Sequence, residues 1–216
     1  MKDITFYFDV ISPYAYLAFE RLPEALIGLS YRVTYQPVLF AGLLKHHGQL
    51  GPAEIEPKRS WTYRQALWLA HELDIELQLP AAHPFSPLSL LRLAIASNPQ
   101  GLPNRYVTEK LFRHVWRGGQ DAADQQRLQT LSDLLKPALD PNSAAVKDLL
   151  KAYTKAAINK GIFGVPTFEV DGKLFFGLDA LPMLAAYLKD DAWFLSSDSG
   201  SAWNDVLKIP VGVARL

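Results

Sequence analysis

The stretch ITFYFDVISPYAYLAFERL, residues 4–22, decides the fold of this chain. Its first seven residues, Ile4 to Val10, are β-branched or aromatic for the most part, which is typical of a buried strand. Ser12 and Pro13 follow, and a serine before a proline is a strong signal for the beginning of a helix. Apolar residues then recur at helical spacing until Gly28, where the helix is expected to end. The stretch therefore predicts a strand and a helix that begins beside Ser12.

The rest of the β structure is predicted from four further segments. A second strand at residues 31–35 completes an opening β-α-β unit, whose two strands should run parallel. Near the other end, residues 165–170 form a predicted strand, Asp171–Gly172 a hairpin turn, and residues 173–176 the returning strand before a helix at 179–188. Together these units predict one four-stranded mixed sheet with helices on both faces. This is an α/β architecture of the thioredoxin type.

Between the two halves the pattern is helical. Apolar residues recur at spacings of three and four in five segments: 57–73, 87–97, 104–117, 121–135 and 143–159. We expect a thioredoxin-like domain formed by residues 1–38 and 160–216, with a large all-helical insertion at 39–159 that packs over the sheet. The tail at 190–216 has too mixed a pattern for an assignment.

The composition excludes several classes of function. Basic and acidic side chains number 22 each, so the formal net charge is zero, whereas nucleic-acid binders carry a basic surplus. The chain has no cysteine, which excludes disulfide exchange on its own sulfur, iron–sulfur clusters and zinc–thiolate sites. Neither a membrane span nor a signal peptide is recognisable. We therefore expect a cytoplasmic protein that binds neither nucleic acid nor membranes.

Three positions are candidates for chemistry. Ser12 lies at a predicted helix N-terminus, where unpaired N–H groups and the helix dipole favour an anion, although a plain capping role is the alternative. Val165 precedes Pro166, and thioredoxin-like folds place a cis proline here that exposes the preceding backbone to an extended peptide. A proline at the start of a strand is also ordinary. Asp179 begins the last predicted helix, either as its cap or as a carboxylate that receives an ammonium group.

Histidine and tryptophan residues add no second site. The histidines show no metal-ligand spacing, so no metal site is predicted: His46, His47, His71, His83 and His114. The three tryptophans on predicted helices are expected in the core: Trp61, Trp68 and Trp116.

Three segments resemble the 2-hydroxychromene-2-carboxylate isomerase family, which groups with kappa-class glutathione transferases and the DsbA-like thioredoxin fold. They are FDVISPYAYLAFERL (8–22), KHHGQLGPAEIEPKRSW (45–61) and GIFGVPTFEVDGKLFFGLDAL (161–181). They occur in the family's order, and the resemblance extends to about Leu188. One departure is the sequence QLGPA at 49–53, where family members often carry an asparagine before a pair of prolines.

The resemblance implies that glutathione is the cofactor. It assigns the glutathione sulfur to Ser12, which is thereby the catalytic residue, and the cysteinyl backbone of glutathione to Val165 beside Pro166.

The same resemblance implies positions for the two ends of glutathione and for a substrate. Asp179, with Leu178 beside it, is assigned to the γ-glutamyl end, and Lys58 to the glycyl carboxylate. Phe40 and Trp61 are candidate walls of a pocket for a small aromatic or electrophilic substrate.

The implied reaction is a glutathione-dependent isomerisation, in which the thiolate adds reversibly to a conjugated aromatic substrate. A kappa-like transferase that conjugates an electrophile is one alternative, and a thioredoxin-like binding module without turnover is another. A homodimer is also expected, from the resemblance and from the aromatic-rich helical block.

Overall fold

The computed structural model describes residues 1–195. Its strands and helices, in chain order, are β1 Lys2–Phe8, α1 Pro13–Ala25, β2 Tyr31–Pro37, α2 Phe40–His46, α3 Glu56–Glu72, α4 Leu88–Ala96, α5 Arg105–Trp116, α6 Gln125–Leu135, α7 Ala144–Asn159, β3 Thr167–Val170, β4 Lys173–Phe176, α8 Leu181–Leu188 and α9 Ala192–Leu195. Most of the tail that the sequence leaves unassigned lies outside the described residues. Within residues 1–195, no helix is both long enough and apolar enough to cross a membrane.

The sheet has the predicted four strands, in the order β2-β1-β3-β4. β1 and β2 are parallel, whereas β3 is antiparallel to both β1 and β4. Asp171 and Gly172 form the hairpin turn with φ values of 51° and 76°, as the Asp-Gly pair predicts. The mixed sheet and the thioredoxin-like fold are therefore confirmed.

Helices cover both faces of this sheet because β1 is apolar on both sides. Phe6 and Phe8 point to the larger core, which also contains residues of α1, α5 and α8. Tyr7 points to the opposite face, where it packs in a smaller cluster with Val38, Leu43 and residues of the segment that follows α7. Successive side chains of a strand alternate between the two faces, so β1 contributes to both layers.

The middle of the chain forms the predicted helices within a few residues, and α2 is an additional short one. Asn104, Asp124 and Ser143 cap α5, α6 and α7, each accepting a hydrogen bond from the N–H three residues on. Side chains of α4 and α5 belong to the same core as β1 and α1. The division into a discontinuous domain and an insertion domain stays a prediction.

The tryptophans do not all lie in the core. Trp116 is fully buried, but Trp61 is 62% and Trp68 is 59% exposed, so the prediction is wrong for these two. On the side of α3 that faces the rest of the protein, the buried residues are Ala66 and Ala70. These small residues face the neighbouring elements, and the large aromatic side chains remain on the outer surface.

Candidate functional site

Ser12 caps α1 and contacts the loop before β3. Its Oγ accepts a hydrogen bond from the N–H of Ala15 at 3.2 Å, which is the predicted capping contact. The same hydroxyl donates to the carbonyl of Val165 at 3.4 Å. Ser12 is only 7% exposed. The fold thus brings together the two positions that the sequence singled out at opposite ends of the chain.

The Val165–Pro166 peptide bond is cis, as expected for a thioredoxin-like fold. Pro166 is held in place because its carbonyl accepts the N–H of Gly177 at 2.9 Å. Phe40, at the beginning of α2, is half-buried and packs against the cluster that contains Val165. One of the two candidate substrate-pocket residues therefore lies on the Val165 side of the site.

A buried carboxylate supports the turn between β1 and α1. Asp9 is fully buried, and its two oxygens accept the N–H of Ile11 at 3.1 Å and the N–H of Phe40 at 2.9 Å. Burial raises the pKa of Asp9 to about 7, although both backbone hydrogen bonds act in the opposite direction. Asp9 thus joins the turn before Ser12 to the beginning of α2. Sequence reasoning missed it, although a charged residue at the end of an apolar strand was a signal.

Two ring N–H groups from the helical block bind carbonyls of the same turn. The indole Nε1 of Trp116 donates to Val10 at 2.8 Å. The imidazole Nε2 of His83 lies 2.8 Å from the carbonyl oxygen of Ile11. Nothing in the sequence spacing pointed to His83 as a part of this site. Only the packing of the helical block on the sheet brings it there.

The first turn of α1 presents one further donor. Pro13 has no N–H, and the N–H of Ala15 is used by Ser12, but the N–H of Tyr14 has no partner within residues 1–195. An unpaired N–H beside a hydroxyl at a helix N-terminus is a suitable environment for an anion. The Tyr14 side chain turns toward α3, where its hydroxyl donates to Gln65 at 2.7 Å.

The residues assigned to the ends of glutathione lie on the surface. Lys58 is exposed in the first turn of α3, with Trp61 one turn further on, and it makes no ion pair within the described range. Asp179 is exposed too, but it is not the cap of a helix as the sequence predicted. It lies in a 3₁₀ turn, Leu178–Ala180, that precedes α8 and makes no side-chain capping hydrogen bond.

The chain must turn sharply before Asp179, and Gly177 permits it. Gly177 has a φ of 98°, and a Cβ at this position would overlap the carboxylate of Asp179. This conformation explains why the helix begins later than predicted. Leu178 is half-buried and packs against the larger core, so it anchors the turn. The carboxylate of Asp179 remains open to solvent.

Within residues 1–195, no three histidine, aspartate or glutamate side chains lie close enough to hold a metal ion.

Comparison with known proteins identifies the family of this chain. The profile of the DSBA-like thioredoxin domain matches residues 3–189. The chain belongs to the DsbA-like thioredoxin family. Disulfide exchange in thioredoxin folds requires cysteine thiols, and this DsbA-like chain has no cysteine.

Two enzymes are similar to this DsbA-like chain over most of its length. It is 29% identical over 211 residues to glutathione S-transferase kappa 2 of Caenorhabditis elegans, covering 88% of this chain and 92% of that protein. It is also 29% identical over 197 residues to 2-hydroxychromene-2-carboxylate isomerase of Sphingobium xenophagum, covering 88% and 99%. A solved structure of a 2-hydroxychromene-2-carboxylate isomerase matches with a TM-score of 0.72 at 24% identity, over 90% of this chain and all of that one, which shows the shared fold.

Proposed function

We propose that this protein is a glutathione-dependent isomerase of the 2-hydroxychromene-2-carboxylate isomerase type. The observation that carries the proposal is the contact between Ser12 and the backbone of Val165 at the N-terminus of α1. It combines a hydroxyl donor for a sulfur with a backbone that an extended peptide can pair with. The similarity to an isomerase and to a kappa-class glutathione transferase supports glutathione as the cofactor.

The thiolate form of glutathione is the nucleophile in this proposal. A free thiol has a pKa of about 8.5, so lowering it by about two units requires about 2.7 kcal/mol of preferential stabilisation of the thiolate. A charge-assisted hydrogen bond from Ser12 contributes about 1.5–3 kcal/mol, and a helix dipole contributes up to about 2 kcal/mol. These two contributions suffice without a cationic base.

Ser12 can change partners without a movement of the backbone. In the free protein its hydroxyl donates to Val165 over a long 3.4 Å bond. Because a charge-assisted bond to a thiolate is stronger than a long bond to a neutral carbonyl, the proton turns to the sulfur when glutathione binds. The N–H of Tyr14 is then the second donor. Serine is not oxidised in this role, and glutathione supplies the sulfur that the chain lacks.

Glutathione would lie across the site with its two charged ends on the surface. Its cysteinyl backbone pairs with Val165 beside Pro166, and its γ-glutamyl ammonium pairs with Asp179. Lys58 binds the glycyl carboxylate. Both charged side chains are exposed and are accessible to a ligand from solvent.

2-Hydroxychromene-2-carboxylate is a cyclic hemiketal, so the proposed reaction begins with ring opening: the bond between the hemiketal carbon and the ring oxygen breaks, the ring oxygen takes the proton of the hydroxyl, and a carbonyl conjugated to the double bond forms. The sulfur then adds to the electrophilic carbon of this double bond, next to the aromatic ring. The new C–S bond takes the sulfur electron pair, while the π electrons move onto the conjugated carbonyl oxygen. The former double bond is then single and rotates. Return of those electrons reforms the double bond in its new geometry and releases the thiolate, so glutathione is unchanged. Phe40 and Trp61 are the proposed walls of the acceptor pocket.

A kappa-like transferase is the second candidate, because the kappa-class relative is as similar to this chain as the isomerase is. The same thiolate would then stay bonded to the electrophile.

One experiment separates the candidates: the protein is incubated with glutathione and either 2-hydroxychromene-2-carboxylate or a halo-aromatic electrophile, and all species are quantified by chromatography. Substrate conversion with glutathione unchanged supports the isomerase. Consumption of one glutathione per product supports the transferase, and binding without conversion supports a binding module.

We also propose that the protein is a homodimer. Trp61 and Trp68 are seven residues apart on α3, which is about two helical turns, so they share one face of the helix. Leu67, which precedes Trp68 in the sequence, is also 42% exposed. An exposed aromatic surface of this kind is typical of an interface.

A further inference from the structure

The carbonyl of Ile11, the last one before Ser12, is bound by an imidazole. Nε2 of His83 lies 2.8 Å from this oxygen, and because a carbonyl only accepts, Nε2 carries the proton. The hydroxyl of Tyr63 lies 2.7 Å from Nδ1 and 3.1 Å from the carbonyl oxygen of His83, and the shorter contact, to an Nδ1 without a proton, supports the same tautomer. His83 is therefore a neutral donor directed at the turn that leads into α1.

The peptide between Ile11 and Ser12 is held at both edges. Its carbonyl is bound by His83, and its N–H, which belongs to Ser12, donates to the carbonyl of Asp9 at 3.2 Å. A peptide unit is planar, so fixing both edges fixes the orientation of the whole plane. Ser12 follows this plane directly, so the orientation of the plane sets the direction in which the chain enters α1.

The surroundings of His83 keep the ring neutral and in place. It packs between the rings of Phe85 and Trp116, with centroid distances of 5.9 Å and 5.5 Å. Burial lowers the pKa of His83, whereas the hydrogen bond to Ile11 acts in the opposite direction. The donor at Nε2 is needed for the carbonyl.

We propose that His83 is a positioning residue for the glutathione sulfur, because it holds the Ile11 carbonyl and thereby keeps the Ser12 hydroxyl and the Tyr14 N–H directed at the sulfur. This inference rests on the proposed function. Once the carbonyl is released, the peptide plane is held only by the N–H of Ser12 and can tilt, and this tilt would change the direction of the Ser12 hydroxyl. Tyr63 acts one step further away, through the tautomer of His83.

The experiment compares three variants with the parent protein. His83→Leu removes the donor, His83→Gln keeps an amide N–H near the position of Nε2, and Tyr63→Phe removes the hydroxyl that fixes the tautomer. Two quantities are measured for each. The pKa of bound glutathione is read from the ultraviolet absorbance of the thiolate, and the Kd of S-methylglutathione, which has no ionisable thiol, is measured by calorimetry.

We expect His83→Leu to raise the pKa of the bound thiol by about one unit, a tenfold loss of acidity, as one interaction with the site is weakened. His83→Gln should stay close to the parent. Tyr63→Phe should shift the pKa in the same direction by a smaller amount, and it provides the test if His83→Leu does not fold. The Kd of S-methylglutathione should be nearly unchanged in all three, since its ends bind elsewhere.

Each other outcome has a definite meaning. An unchanged thiol pKa in His83→Leu, or in Tyr63→Phe if that variant is the one tested, overturns the positioning role, even where the free energy of unfolding falls. Loss of S-methylglutathione binding along with the pKa shift shows that His83 supports the whole site, which also overturns it. If the parent protein binds neither ligand, the proposed function itself is wrong. That result is visible before any variant is compared.

Discussion

The hydroxyl of Ser12 donates to the carbonyl of Val165 at 3.4 Å, although 153 positions separate the two residues in the chain. Ser12 ends the turn after β1, and Val165 precedes β3, which pairs with β1 in the sheet. The pairing of these strands therefore places a helix N-terminus beside a cis-proline loop. In the proposed function, a thiol bound between them meets the hydroxyl of Ser12 and the backbone of Val165.

Removing the Ser12 hydroxyl should make bound glutathione less acidic. In Ser12→Ala we expect the pKa of the bound thiol to rise by about one to two units, because one charge-assisted hydrogen bond to the thiolate is lost. Ultraviolet titration of the thiolate measures the pKa of the bound thiol. Ser143→Ala is the matched control, since it also removes a serine cap, that of α7, and leaves the site intact. An equal pKa in Ser12→Ala and the parent would exclude Ser12 from contact with the sulfur.

The two ends of glutathione should differ in their contribution to affinity. We expect Asp179→Ala to weaken glutathione binding by about tens-fold to a few hundred-fold, between the values typical of exposed and of buried charge pairs. Lys58→Ala should weaken glutathione binding by a smaller factor. Calorimetric titration decides the order, with Lys155→Ala on α7 as a control for the loss of an exposed lysine. Unaltered binding by Asp179→Ala would show that the γ-glutamyl end lies elsewhere, and a larger loss in Lys58→Ala would reverse the assignment of affinity.

Asp9 should make stability depend on pH in an unusual direction. Its pKa is about 7 in the folded protein against 3.8 for an ordinary aspartate, so between these values the folded state holds a proton that the unfolded state has lost. Its contribution to the free energy of unfolding is therefore greatest below about pH 4 and is lost as the pH rises toward 7. Asp9→Asn does not titrate, but it also loses one of the two N–H acceptors.

Urea unfolding of the parent and of Asp9→Asn at several pH values tests this linkage. The difference in free energy of unfolding, variant minus parent, should increase between pH 4 and pH 8 by several kcal/mol, because each unit of pKa shift corresponds to about 1.4 kcal/mol. Using the difference removes the pH-independent cost of the substitution. Two parallel stability curves would mean that Asp9 titrates as an ordinary carboxylate.

The exposed aromatic face of α3 should be an interface in solution. Light scattering at micromolar concentration should give twice the 24.1 kDa of a single chain. Trp68→Glu, which places a charge on this face, should shift the population toward the single chain. A monomeric parent protein would contradict the proposal, and a dimer insensitive to Trp68→Glu would place the interface on another surface.

Local patterns sufficed for the strands and for most of the helices, but not for the short α2. Ser12 before Pro13 begins α1 as predicted, and Asp171–Gly172 forms the turn between β3 and β4. In each case the signal lies within the residues concerned, because capping and turn formation depend on the side chain and backbone of a few neighbours. At Asp179 local patterns were insufficient, because the predicted helix does not begin there. The glycine before it adopts a positive φ, and a 3₁₀ turn replaces the first turn of the predicted helix.

What the sequence alone determined is the order of elements, the absence of a protein thiol and the location of Ser12 at a helix N-terminus. Tertiary structure decided which side of α3 is buried, and it brought His83 to the carbonyl of Ile11 over 72 positions of the chain. Helical periodicity predicts that a helix forms, but the size of its neighbours determines which residues it buries, and at α3 the fully buried ones are alanines. Likewise, spacing along the chain carries no information on a hydrogen bond between a helical block and a strand end, because that contact exists only after both have packed.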